Sequence, residues 1–226
     1  MIGIIIAMES ELKPFLEFPH NIDTIGAKCF YTLQIENKQA VIVLSGIGKV
    51  NASYAATLLI HNYKPSFIIS TGVSGGLKSL KVLDIVVATK TCQHDVDTSC
   101  LGDPIGLVST VNKVYFDTDA ELSDKFARLL NAKKGILACG DCFVANKDLK
   151  ENIVKNFDAV ACDMESGAIG QICYIENVPY AAIRCISDGA GENAQLSFYN
   201  SLFCNRHFAF CWMLFIGILY RQPKQA

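Results

Sequence analysis

Residues Ile2–Leu12 read IGIIIAMESEL, and the break inside this stretch decides the fold. Ile2–Ala7 is a short run rich in β-branched residues, the composition of a strand buried on both faces. It gives way at once to Met8-Glu9-Ser10-Glu11, polar and acidic where a helix would start. The same grammar recurs outward along the chain. Apolar runs at Ala40–Leu44, Phe67–Ser70, Asp84–Ala88, Ala159–Cys162 and Tyr180–Ile186 predict further buried strands. Helix-like segments follow at Val50–Asn62, Ala120–Asn131 and Gly167–Glu176, the second capped by Thr118 or Asp119 with Glu121 in its first turn. Strands alternating with helices predict an α/β fold, a single domain over residues 1–226 with a central mixed β-sheet flanked by helices.

In open α/β sheets ligands gather at the carboxyl ends of strands. Polar and glycine-rich clusters stand at those places: Met8–Glu11, Gly46-Ile47-Gly48-Lys49, Gly72-Val73-Ser74-Gly75-Gly76, Asp163-Met164-Glu165 and Ser187-Asp188-Gly189-Ala190. They are expected to converge on one edge of the sheet and build one pocket.

Composition narrows the function classes. The chain has 226 residues, 51% hydrophobic and 19% charged, enough for one domain with a large core. A net charge of -2 offers no basic excess for a nucleic acid. Met1–Ala7 lacks the basic flank and cleavage site of a secretion signal, so a cytoplasmic protein is expected. The ten cysteines are scattered, and Cys139, Cys162, Cys173 and Cys185 lie in apolar runs, as reduced packed thiols do. Cys139-Gly140-Asp141-Cys142 has the spacing of a redox or zinc pair, but no second pair or nearby histidine completes a tetrahedral site, and no metal is expected. The apolar stretch Phe208–Tyr220, at 13 residues, is shorter than the roughly 20 of a membrane span and is read as a final helix buried by the domain or by a subunit interface.

Each cluster admits two readings. The Gly72–Gly76 amides suit a phosphate or a sugar, or the segment is a tight turn; it lacks a P-loop lysine and dinucleotide spacing. Asp188 caps the following segment, or is a general acid whose pKa an apolar pocket raises. Glu165 compensates a helix dipole, or accepts from two sugar hydroxyls with Met164 against the sugar face. Glu11 has the same dipole reading, or is the base that activates water. His94-Asp95-Val96-Asp97 has no second histidine and reads as a hydrogen-bonded turn.

Taken in register, nine stretches carry a resemblance: IGIIIAMESEL (2–12), SGIGKVNA (45–52), STGVSGGL (70–77), LDIVVAT (83–89), HDVD (94–97), GDCFVA (140–145), CDMESGAI (162–169), RCISDGAG (184–191) and LSF (196–198). Up to about residue 203 the chain resembles the methylthioadenosine/S-adenosylhomocysteine nucleosidases of the purine nucleoside phosphorylase and uridine phosphorylase superfamily. The resemblance implies a nucleoside phosphorylase-like fold and hydrolysis of 5′-substituted adenosines, with a nucleoside and water as substrates and no metal or organic cofactor. It also implies a homodimer whose partner loop closes the 5′ side of the pocket. In that pattern Asp188 protonates N7 of adenine, Phe143 stacks on the base, and the backbone of Val144 reads its edge. Glu165 and Met164 hold the ribose, and Glu11 deprotonates water. Met8, Ile47 and Phe198 line the apolar pocket, Phe198 receiving the 5′-alkylthio group. Arg184 orients the carboxylates or the water, and Val73, Ser74 and Ser187 complete the substrate-binding set.

Two other readings stand beside this one. A phosphorylase of the same fold needs a cation for its phosphate dianion, yet no arginine precedes Arg128 and the first loop carries two acids. A non-catalytic nucleoside-binding or storage protein would not need Glu11, Glu165 and Asp188 together. The chain departs from the family pattern in three places. Val73 stands where many members have serine, the segment Cys100–Asp117 replaces a more aromatic loop, and the chain after Phe203 is unusually apolar.

Overall fold

Strand β1 (Ile2–Ile6) is buried along its whole length, as its composition requires. It lies parallel between β4 (Lys38–Leu44) and β5 (Phe67–Gly76). Its side chains alternate between two cores. Ile2, Ile4 and Ile6 pack with Leu12, Phe15, Phe126 and Ile183 on one face; Ile5 packs with Val41, Val43 and Leu59 on the other. Gly3 faces helix α2 (Lys49–Tyr63), and a Cβ there would lie 2.9 Å from Leu59 Cδ2, so the helix rests on the strand backbone. The computed structural model describes residues 1–35 and 38–200; the apolar stretch Phe208–Tyr220 lies outside the described residues.

The sheet is mixed and in part closes on itself. β2 (His20–Ile25) and β3 (Lys28–Ile35) form an antiparallel hairpin that extends it beyond β4. On the other side, β5 pairs along one edge with β10 (Tyr180–Asp188) and near its end with β9 (Ala161–Asp163). From β10 the ladder runs through β6 (Ile85–Gln93) and β8 (Lys133–Cys139) back to β9, closing a ring. β7 (Tyr115–Asp117) adds to β6. The expected mixed sheet is therefore present, with β4, β5, β6 and β10 longer than their apolar runs and β1 and β9 shorter.

One expectation is corrected here. Gly72–Gly76 is neither a turn nor a loop but the second half of β5. The glycines stay extended because β10 pairs with this stretch on one side and β9 pairs with Gly75 and Gly76 on the other.

Helix α1 (Glu9–Leu12) follows β1, and α3 (Ala120–Leu130) follows β7. Asp119 caps α3, its carboxylate accepting from Leu122 N–H at 2.9 Å, while Thr118 Oγ1 donates to Ala88 O and pins the same corner to β6. Helix α4 (Lys147–Phe157) is capped by Asn146, α5 (Ser166–Ile175) follows β9, and α6 (Ala194–Asn200) follows β10. Cys139, Cys162, Cys173 and Cys185 are buried and form no disulfide, as expected. Burial also pushes the thiols of Cys139, Cys162 and Cys173 up, which keeps them protonated and inert.

Replacing Asp119 by alanine removes the α3 cap and is expected to cost about 1 kcal/mol in urea unfolding, with Asp119→Ser recovering most of it. An unchanged midpoint in Asp119→Ala would show that the cap contributes nothing.

Candidate active site

At the carboxyl ends of β1, β5, β9 and β10 lies a cavity of about 380 Å³, within the size range of small-molecule sites. Met8, Glu11, Ile47, Val73, Ser74, Phe143, Val144, Met164, Glu165, Ser187, Asp188 and Phe198 all line it, so the clusters converge as expected. Arg184 does not line it. With 1% of its surface exposed, it lies among buried charges below.

Glu11 is fixed by backbone amides. Its Oε2 accepts from Met8 N–H at 3.0 Å, closing the first turn of α1, and its Oε1 accepts from Val73 N–H at 2.9 Å. The carboxylate lies so close to β5 that a Cβ at Gly72 would sit 2.7 Å from Oε1, so only glycine fits there. Burial pushes the Glu11 carboxyl above its ordinary value, against the pull of the Val73 amide and the Arg184 charge. Glu11 thus belongs to a helix start and is at the same time a buried carboxylate that lines the cavity. Val73 meets Glu11 through its backbone amide, whatever its side chain. Its neighbour Ser74 lines the cavity with a buried hydroxyl that has no partner among the described residues.

Asp188 stands at the end of β10, just past a slip in the ladder. Ile186 pairs with Ser74 and Asp188 with Gly75, so Ser187 is an extra residue of β-bulge type. Such a bulge re-aims the next side chain. Ser187 Oγ donates to Asp188 Oδ2 at 2.8 Å, and Ala190 N–H donates to Oδ1 at 2.8 Å. Ala190 adopts φ +48°, an uncommon backbone for a non-glycine residue, and it places that amide. Asp188 therefore both caps its loop and faces the cavity.

Sequence reasoning passed over Asp163. Its Oδ1 accepts from Glu165 N–H, Ser166 N–H and Ser166 Oγ at 3.1, 3.0 and 2.8 Å, capping α5. Its Oδ2 lies 2.8 Å from Arg184 Nε, a charge contact without hydrogen-bond alignment. With the cap taken, Glu165 is released to point into the cavity, where Oε1 accepts from Gly48 N–H at 3.0 Å. Arg184 also donates to Ser70 Oγ at 2.9 Å. Burial opposes its charge, but Asp163 above all holds its pKa above the ordinary value. Burial and then the neighbouring Asp163 push the Glu165 carboxyl up to about 7, while Arg184 and the Gly48 amide pull it down. No local signal separates Asp163 from Glu165, since both lie between an apolar strand and a helix start.

Phe143 and Phe198 meet edge to face, with centroids 5.7 Å apart. Val144 is buried beside them. The His94–Asp97 stretch is a hydrogen-bonded turn: Asp97 accepts from Ser99 N–H, and Asp95 engages Lys49 and Asp141.

The phosphorylase superfamily model matches residues 1–203 of the chain. A 5′-methylthioadenosine/S-adenosylhomocysteine nucleosidase of Exiguobacterium sp. is 41% identical over 207 residues, covering 87% of this chain and 88% of the relative. Among solved structures, the futalosine hydrolase of Helicobacter pylori superposes with a TM-score of 0.92 at 31% identity, covering 96% of this chain and 97% of that one. The Helicobacter pylori 5′-methylthioadenosine/S-adenosylhomocysteine nucleosidase with butyl-thio-DADMe-Immucillin-A matches at 0.92 and 32%, with coverages of 96% and 97%.

The raised carboxyl of Glu165 carries a stability consequence. Its stabilising protonation is complete below its ordinary 4.5 and is lost as pH rises through about 7. Glutamine does not titrate, so the melting temperature of Glu165→Gln relative to the parent should rise across that interval and level off above it. A difference independent of pH would show that Glu165 is ionised at no cost in the folded state.

Proposed function

Because the chain belongs to the phosphorylase superfamily, we propose that it hydrolyses the N-glycosidic bond of 5′-methylthioadenosine, S-adenosylhomocysteine and related 5′-substituted adenosines, releasing adenine and the thioribose. One observation carries the choice of water over phosphate. The described residues lining the cavity include Glu11, Asp163, Glu165 and Asp188 but no lysine or arginine, and Arg184 below is engaged by Asp163. A phosphate dianion would find no cationic side chain among the described lining residues.

Asp188 delivers a proton to N7, so the base leaves neutral while positive charge develops at C1′; such an acid contributes ~10²–10⁴-fold. Glu11, raised by burial and held by two amides, takes the proton of the attacking water. Glu165 accepts from the ribose hydroxyls with Met164 against the sugar, and the unpartnered Ser74 hydroxyl supplies the hydrogen bond that Val73 cannot. Phe143 stacks on adenine, Val144 reads its edge through the backbone, and Met8, Ile47 and Phe198 enclose the 5′ substituent. A storage protein would need no acid at Asp188 to protonate a leaving base. The likeness to a futalosine hydrolase makes a nucleoside with a larger 5′ substituent the second substrate to assay.

The same reading makes the protein a cytoplasmic homodimer acting in nucleoside catabolism, including methionine salvage. The apolar residues Ile47, Val50 and Tyr54, exposed by 51%, 80% and 42%, recur at helical spacing from the cavity rim along α2 and support a partner subunit there. The free, buried thiols suit a reducing compartment. No described helix is long and apolar enough to cross a membrane.

Adenine and free methylthioribose should form from methylthioadenosine in phosphate-free buffer; a strict phosphate requirement with a sugar 1-phosphate product would make the protein a phosphorylase. Asp188→Asn should lower kcat by at least about a hundredfold while the fold persists, whereas near-parental adenine release would remove the assigned acid. Glu11→Gln should fail in turnover yet still bind a substrate analogue, and lost binding would give Glu11 a structural role instead.

A further inference from the structure

The turn at His94–Asp97 has no part in the mechanism above, yet it is wired into the cavity from behind. Asp95 Oδ1 lies 2.7 Å from Lys49 Nζ, and Asp95 Oδ2 accepts from Asp141 N–H at 2.9 Å. Asp141 Oδ1 in turn accepts from Lys49 N–H at 2.7 Å. One residue earlier, Gly48 N–H donates to Glu165. Two successive amides at the start of α2 are thus divided between two carboxylates, one from each side of the cavity. Those amides have no partner within the helix, and the helix dipole favours anionic acceptors there. The fit is close: Gly48 has φ +96°, and a Cβ on it would lie 3.0 Å from Asp141 Oδ1.

The loop that Asp141 opens is anchored elsewhere too. Gly140 N–H donates to Asp163 O at 3.1 Å, and His94 N–H donates to Cys139 O at 2.8 Å. The His94 ring lies against Gly140, where a Cβ would come within 2.4 Å of Nε2. Phe143 and Val144 follow in the same loop. Lys49 and Asp95 are 18% and 28% exposed, so their pair is shielded more than one at an open surface.

We infer that Asp141, backed by Asp95 and Lys49, is a positioning residue that couples the base-binding loop to the ribose-binding carboxylate through the first amides of α2. The two halves of a nucleoside are then recognised as a unit: a shift of the Phe143 loop moves Lys49, and with it the Gly48 amide that sets Glu165. The inference rests on the roles given above to Phe143, Val144 and Glu165.

The test is Asp141→Ala in the full chain, with folding checked by thermal melting. Its kcat/KM for methylthioadenosine should fall about ten- to a hundredfold, the scale of one lost charge-assisted hydrogen bond. Adenine should bind more weakly, and the preference for substrate over its 2′-deoxy analogue should shrink in parallel. Asp141→Asn keeps an oxygen for the Lys49 amide and should restore most of both. Lys49→Met, which touches only the back of the strap, should shift both readouts the same way by less. A folded Asp141→Ala with parental kinetics overturns the proposal, as does weaker adenine binding with the 2′-hydroxyl preference intact. Should Asp141→Ala not fold, Lys49→Met decides by the same criteria. A parent enzyme with no 2′-hydroxyl preference would remove the Glu165 reading, and the coupling with it.

Discussion

Arg184 and Asp163 face each other at 2.8 Å, 1% and 8% exposed, and most of the site follows from that pair. A guanidinium cannot shed its proton, so it stays charged wherever the fold puts it. Leaving either partner of such a buried pair alone costs about 3–5 kcal/mol. The two residues sit on β9 and β10, which lie on either side of β5 and share no ladder with each other. The charge contact therefore ties the ring across a gap that backbone hydrogen bonds do not span. Asp163 also caps α5, so the geometry of that helix and the position of the arginine are set by one side chain.

From this follows how the neighbouring acids divide their work. One cation serves Asp163, Glu165 and Glu11, and Asp163 holds it most closely. Glu165 and Glu11 are left buried with only partial compensation, and both bind a proton more tightly than a carboxylate in water. Raised basicity is of use to a group that must take a proton from water. The low dielectric that raises these acids also strengthens every dipole aimed at them, the Val73 and Gly48 amides included.

The part of this arrangement legible in the sequence is the part that recurs in strand–cluster form. Ile2–Ala7 and Tyr180–Ile186 announce themselves by apolar runs, and Glu11 and Asp188 stand directly behind them. Strands β2 and β3 and strand β8, which opens on Lys133-Lys134-Gly135, carry too much polar character for a search that looked for buried runs. Helix α4 was within reach, since Leu149, Ile153 and Phe157 repeat at four-residue spacing behind the Asn146 cap. Asp163 could not be told from Glu165 by local pattern. Both acids line the cavity, and the one that also accepts from the α5 amides is the one that faces a guanidinium on another strand. The Gly72–Gly76 stretch misled for a related reason: glycine favours turns only when no neighbour strand claims its amides, and here β10 and β9 do.

The extra residue at Ser187 shows that part of the cavity's geometry is stored as a count rather than as an identity. Side chains along β10 alternate in direction, and the slip before Asp188 resets that alternation by one step. Deleting one apolar residue of this strand, such as Ile186, would keep every polar side chain in the chain and still turn Asp188 away from the cavity.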